Sequence, residues 1–165
     1  MCIRDRLNIE KIAEIPLKEL QAHLRPTGFY RQKARYLKIF SKYCSEKHNG
    51  NLENWFRKPT EELQKELLQI KEIGEETANS ILLYAAERPV FVVDVYTKRI
   101  LVRIGIVNQR SSFSEIKKLI EKELLSDLKT YKELRALFVE LGKNFCKTKP
   151  QCKSCPLESV CQKRI

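Results

Sequence analysis

Residues 63–86 carry two apolar stripes at helical spacing that meet at one glycine, and this stretch constrains the fold more than any other. Before Gly74, Leu63, Leu67 and Ile70 recur at i, i+4, i+7; after it, Ala78, Ile81, Leu82 and Ala85 do the same. The spacing predicts helix, tight hairpin, helix, with Gly74 supplying the left-handed break. Such a hairpin aims backbone N–H groups outward from a helix N-terminus, which makes a seat for one phosphate that is blind to base sequence. Residues 90–93 then read as a short apolar, extended link. Asp94 opens another helix behind it.

The far end of the chain adds a second constraint. Cys146-x5-Cys152-x2-Cys155-x5-Cys161 puts four thiolates in one short loop, stiffened by Pro150 and Pro156. Six cysteines without an export signal argue against a disulfide scaffold and for metal ligation. Structural zinc takes two cysteine pairs held apart by a longer loop, so that two knuckles face one ion. Four ligands in one coil suit a [4Fe–4S] cubane, which accepts them around its periphery. A zinc site and an empty loop stay open as alternatives.

A net charge of +11 and a pI near 9.4 point to an anionic polymer as partner, the bland alternative being a merely soluble basic surface. The chain holds no apolar run of membrane-spanning length and no signal-peptide pattern, so neither a membrane span nor export is expected; a monomer in a prokaryotic cytoplasm, nucleoid-associated when bound to DNA, is the expectation. Residues 8–24 give two short helices, with Pro16 at a helix start. After a turn at residues 25–30, a long helix runs to about Cys44, with Tyr36, Leu37, Phe40, Tyr43 and Cys44 on one face. Cys44 reads as a small buried hydrophobe. His23 and His48 read as surface or packing residues, and Trp55 with Phe56 as packing rather than base stacking. Pro59, with Glu61 and Glu62 behind it, starts the first hairpin helix. Ser112 and Glu115 form a capping box for a helix carrying Phe113, Ile116, Leu119 and Ile120. Tyr131, Leu134, Phe138 and Leu141 line the next helix, which Gly142 is expected to close. Residues 1–6 lack amphipathic logic, resemble translated sequencing-adapter sequence and are set aside with Cys2. The boundary falls near residue 89, between a hairpin-bearing half (1–88) and a cluster-bearing half (89–165).

Ile70-Lys-Glu-Ile-Gly-Glu-Glu-Thr-Ala78 followed by Val93-Asp-Val-Tyr-Thr-Lys-Arg99, together with the cysteine loop, resembles the helix-hairpin-helix DNA glycosylases, and within them the endonuclease III branch. The resemblance runs from about residue 10 to the C-terminus. It implies an all-α fold, a partial helical barrel with a C-terminal [4Fe–4S] loop. It implies base-excision repair on duplex DNA containing a damaged base, by hydrolysis of the N-glycosidic bond. By resemblance Asp94 is catalytic; read alone it is an ordinary N-cap. Ile73, Gly74, Glu76, Thr77 and Ala78 would grip DNA, Cys146, Cys152, Cys155 and Cys161 would hold the cluster, and Lys147, Lys149 and Lys153 would meet the DNA backbone. Those lysines serve equally to offset the charge of a thiolate-held cluster.

Four departures qualify the resemblance. Glu76 stands where strand-nicking relatives carry a Schiff-base lysine, and a carboxylate cannot attack the sugar as an amine does. Lys71 and Lys98 do not occupy the matching position. Efficient AP-lyase activity is therefore not expected, as in the lysine-less group that includes some alkylpurine glycosylases. Glu72 replaces a glycine the family prefers, and with Glu75 and Glu76 it adds negative charge beside the expected phosphate. The first cysteine spacing is one residue shorter than the endonuclease III pattern. Relatives begin several helices earlier, so the chain reads as the C-terminal portion of a longer protein. The alternatives are a non-catalytic iron–sulfur DNA-binding protein, an inactive fragment, and a zinc-binding nucleic-acid module.

Overall fold

The computed structural model describes residues 8–125 and 127–163; residues 1–6 and Cys2, set aside above, lie outside the described residues. Among the described residues every regular element is helical. In chain order they are α1 (Ile9–Glu14), α2 (Leu17–Leu24), α3 (Tyr30–His48), α4 (Leu52–Phe56), α5 (Thr60–Gln69), α6 (Glu75–Tyr84), α7 (Val95–Ile104), α8 (Phe113–Glu123) and α9 (Leu128–Asn144). Short 3-10 turns lie at Arg25–Thr27 and Cys152–Ser154. None of these helices is long and apolar enough to cross a membrane. The all-α class expected from periodicity holds. The chain divides into two units, one ending at Ala78 and the other beginning at Asn79, so the division falls inside α6.

In the first unit, α1 and α2 pack on α3. Helix α3 continues four residues past Cys44, and Asn49 in the left-handed region closes it, with Gly50 N–H on the Cys44 carbonyl at 3.1 Å. Cys44 is fully buried, as its place on the apolar face predicts. Trp55, 1% exposed, donates from Nε1 to Glu66 at 2.7 Å and stacks on His48 with ring centroids 4.4 Å apart. It is a core residue and offers no free face to a base. Helix α5 starts behind Pro59 with Glu61 and Glu62 in its first turn, and it buries Leu63 and Leu67.

In the second unit, the link at residues 90–93 is buried throughout, which is why it reads as an unbroken apolar run. Phe91, Val92 and Val93 join Leu83, Leu101, Ile116, Ile120 and Tyr131 in one core, and Phe91 meets the edge of the Tyr131 ring at 5.5 Å. Burying each such side chain contributes about 1.5–3 kcal/mol. The Ser112–Glu115 capping box is present and opens α8. Gly142 does not close α9, which runs on to Asn144. A Cβ on Gly142 would sit 2.5 Å from Cδ1 of Tyr96, so this glycine is there to let α7 and α9 approach. Periodicity could not separate a glycine that ends a helix from one that a neighbouring ring needs.

Candidate nucleic-acid interface and active site

The hairpin joins α5 to α6, and Ile73 N–H closes the turn on the Ile70 carbonyl at 3.0 Å. Its left-handed residue is Glu72, with φ +74°, and not Gly74. That corrects the sequence expectation. A Cβ on Gly74 would meet nothing within 4 Å, and its carbonyl accepts from Ala78 N–H at 2.9 Å, so Gly74 stands at the N-terminal cap of α6. The amides of Gly74 and Glu75 precede that first intrahelical bond and open the helix mouth. A non-glycine residue in the left-handed region costs roughly 1–2 kcal/mol. The Glu72 carboxylate offsets part of this by its ion pair with Arg35, on α3, whose Nη2 lies 2.9 Å away. The same pair neutralises one of the three acids beside the expected phosphate seat. Gly74, Glu76 and Thr77 are exposed, Ile73 is half-buried and Ala78 is buried.

Asp94 caps α7. Its Oδ1 accepts from the Thr97 backbone N–H at 2.9 Å and from the Thr97 hydroxyl at 3.1 Å. The residue is 4% exposed. Oδ2 lies 3.7 Å from Nη2 of Arg135 on α9. One oxygen is thus committed to the helix, and any chemistry falls to the other, beside a guanidinium. The cap also fixes the carboxylate's orientation, which a group acting on a developing charge requires.

The cysteine loop hangs from α7. Arg99 donates from Nε to the Cys146 carbonyl at 2.8 Å and from Nη2 to the Gly142 carbonyl at 3.2 Å. Arg103 reaches the Lys147 carbonyl at 2.6 Å, the Thr148 carbonyl at 3.1 Å and the Cys146 sulfur at 3.3 Å. Lys163 N–H points at the Cys161 sulfur at 3.4 Å. Among the described residues no three His, Cys, Asp or Glu are grouped as around a single metal ion. Yet Cys146, Cys152, Cys155 and Cys161 are free and line one cavity. Two of the four sulfurs face N–H donors, Cys146 that of Arg103 and Cys161 that of Lys163, as thiolates would. Lys147, Lys149 and Lys153 are exposed on this loop.

Three side chains at these sites escaped the sequence reading. Arg35 pairs with Glu72, and Arg135 with Asp94. Phe29 is 84% exposed at φ +47°, immediately before α3. Arg35 follows it by about 9 Å along the helix axis and holds the hairpin, so Phe29 stands on the hairpin's own unit. Only Arg135 left a trace in the pattern: it lies four residues after Tyr131 and seven before Gly142, the two buried residues of α9. A charge on that stripe calls for a partner.

Residues 2–126 match the model of a protein family described as HhH-GPD superfamily base excision DNA repair protein. A protein of Methanocaldococcus jannaschii, provisionally named a DNA repair glycosylase, is 44% identical over 161 residues, covering 96% of this chain and 73% of that one. Endonuclease III of Bacillus subtilis is 29% identical over 154 residues, covering 93% of this chain and 66% of its own length. A solved non-covalent endonuclease III–DNA complex superimposes with a TM-score of 0.77 at 27% identity, over 97% of this chain and 71% of that one. The chain therefore spans between 66% and 73% of the length of these relatives.

Proposed function

The chain belongs to the HhH-GPD superfamily of base excision DNA repair proteins, and we propose that it is a DNA glycosylase that removes a damaged base without efficient strand cleavage. The observation that carries this reading is Asp94, fixed at the mouth of α7 with Oδ2 left over from the cap. The α6 amides at Gly74 and Glu75 bind one backbone phosphate, and the exposed lysines of the cysteine loop add sequence-blind affinity. Phe29, aromatic and exposed beside basic Arg25 and Arg31, is suited to wedge between base steps as the nucleotide leaves the stack. Cys146, Cys152, Cys155 and Cys161 hold a [4Fe–4S] cluster that orders the loop carrying those lysines.

The N-glycosidic bond breaks with its electron pair leaving on the base, and positive charge develops on the sugar. Oδ2 of Asp94 stabilises that charge while water adds to the sugar carbon, and the proton the water gives up ends on the departing base. Glu76, exposed in the first turn of α6, supplies no amine for a Schiff base. A second reading has its own support: Asp94 is buried and already serves a cap and an arginine, which favours a non-catalytic DNA clasp.

The test incubates the chain with duplexes bearing oxidised, alkylated or mismatched bases and scores base release separately from strand nicking. Release with the abasic strand left intact supports the proposal. Release accompanied by abundant borohydride-trapped covalent adduct contradicts the monofunctional part, and duplex binding without release favours the clasp.

A further inference from the structure

Arg135 is an arginine whose donors are almost unused. Its guanidinium lies 3.7 Å from the spare Oδ2 of Asp94, too far for a hydrogen bond, and rests over the ring of Tyr84 at 5.6 Å. Its Nε is buried with no hydrogen-bond partner among the described residues. The side chain is 21% exposed, so the terminal nitrogens, and not the buried Nε, are the donors that a base can reach. Tyr84 beneath it is exposed, which leaves a ring edge and a planar cation side by side at the carboxylate. All three residues belong to the second unit.

We propose that Arg135 selects the chemical class of base delivered to Asp94: a neutral base presenting carbonyl oxygens, deaminated or oxidised, and not an N-alkylated purine cation. The inference rests on the glycosylase reading and sharpens it. A lone carboxylate would attract a cationic base. Here a guanidinium stands beside Oδ2, and a cationic base brought against it meets a like charge. A carbonyl edge does the opposite, because it gives the planar donor fork the acceptors it lacks. Discrimination of this kind is strong because a mismatched base leaves the site's own polar group unpaired. The same arginine separates this chain from an alkylpurine specificity, which absence of the Schiff-base lysine alone would leave open.

The experiment compares single-turnover release from three otherwise identical duplexes, bearing uracil, hypoxanthine or 3-methyladenine, the last of which is cationic and has no carbonyl. It uses the chain itself, Arg135→Gln and Arg135→Lys. The chain is expected to release the two neutral bases faster than the cation. Arg135→Gln should move the ratio toward 3-methyladenine by roughly tenfold or more. Arg135→Lys keeps the charge but not the fork, so it should retain discrimination against the cation while releasing the carbonyl bases more slowly. Preference of the unsubstituted chain for 3-methyladenine overturns the inference. So does an unchanged ratio in Arg135→Gln, or a ratio in Arg135→Lys that follows Arg135→Gln. Release of no base from any duplex contradicts the glycosylase reading itself, and the base class with it.

Discussion

Asp94 divides its two oxygens between structure and proposed chemistry, and substitutions separate the two. Asparagine keeps an oxygen acceptor for Thr97 and is itself a good cap, so Asp94→Asn should fold as the unsubstituted chain does. Asp94→Ala loses the cap and should cost about 1 kcal/mol or more in a urea titration. His48 offers a different test. Burial holds its pKa below the ordinary 6.5, outweighing Glu66 3.4 Å away, which would raise it; Lys58 lowers it further. A folded-state pKa below the unfolded value means that the unfolded chain binds the proton more readily. His48 therefore contributes stability that is full above about pH 6.5 and is lost as the pH falls through its depressed value. Trp55, the single tryptophan and stacked on that imidazole, reports unfolding by fluorescence. Urea midpoints should drop between pH 7.5 and 5.5, and His48→Phe should flatten the drop. An equal drop in both proteins would show that another group titrates.

At the scale of elements, the hairpin shows what periodicity can and cannot reveal. The helices on either side were legible because Leu63, Leu67 and Ile70 before the turn and Ala78 and Leu82 after it recur at helical spacing and are buried. Ala85, assigned to the same stripe, is exposed, since α6 ends at Tyr84. The turn's left-handed residue was not legible. A glycine is the ordinary occupant, and Glu72 holds the position only with help from Arg35, thirty-seven residues upstream in the sequence. Glu72→Gly should relieve strain of roughly 1–2 kcal/mol while giving up an exposed ion pair worth about 0–1 kcal/mol. Thermal stability should hold or rise, and affinity for undamaged duplex should rise with the loss of a negative charge. Arg35→Gln should weaken that affinity in the native background and change it little beside Glu72→Gly. An equal loss in both backgrounds would mean that Arg35 touches phosphate directly. The α7–α9 contact predicts a clearer penalty. Gly142→Ala drives a methyl to 2.5 Å from the Tyr96 ring and should cost about 1–3 kcal/mol in thermal or urea unfolding.

Over the whole molecule, 32 lysines and arginines against 21 acids make association with duplex DNA a counterion-release process. Affinity should fall at least about tenfold between 50 and 200 mM salt, and a flat response would remove the electrostatic part of the account. The all-α class, the caps at Asp94 and Ser112, the hairpin and the cysteine loop were all readable in the chain, because each is written in residues close together in sequence. Arg135 and Arg35 were not, because their partners lie 41 and 37 residues away and only packing brings them together. The central claim is that the capped carboxylate at α7 acts on a sugar. The most direct measurement is single-turnover base release by the chain and by Asp94→Asn, with duplex binding measured alongside. Release is expected to be lost in Asp94→Asn while the two proteins bind duplex equally. Release undiminished by the substitution would contradict it.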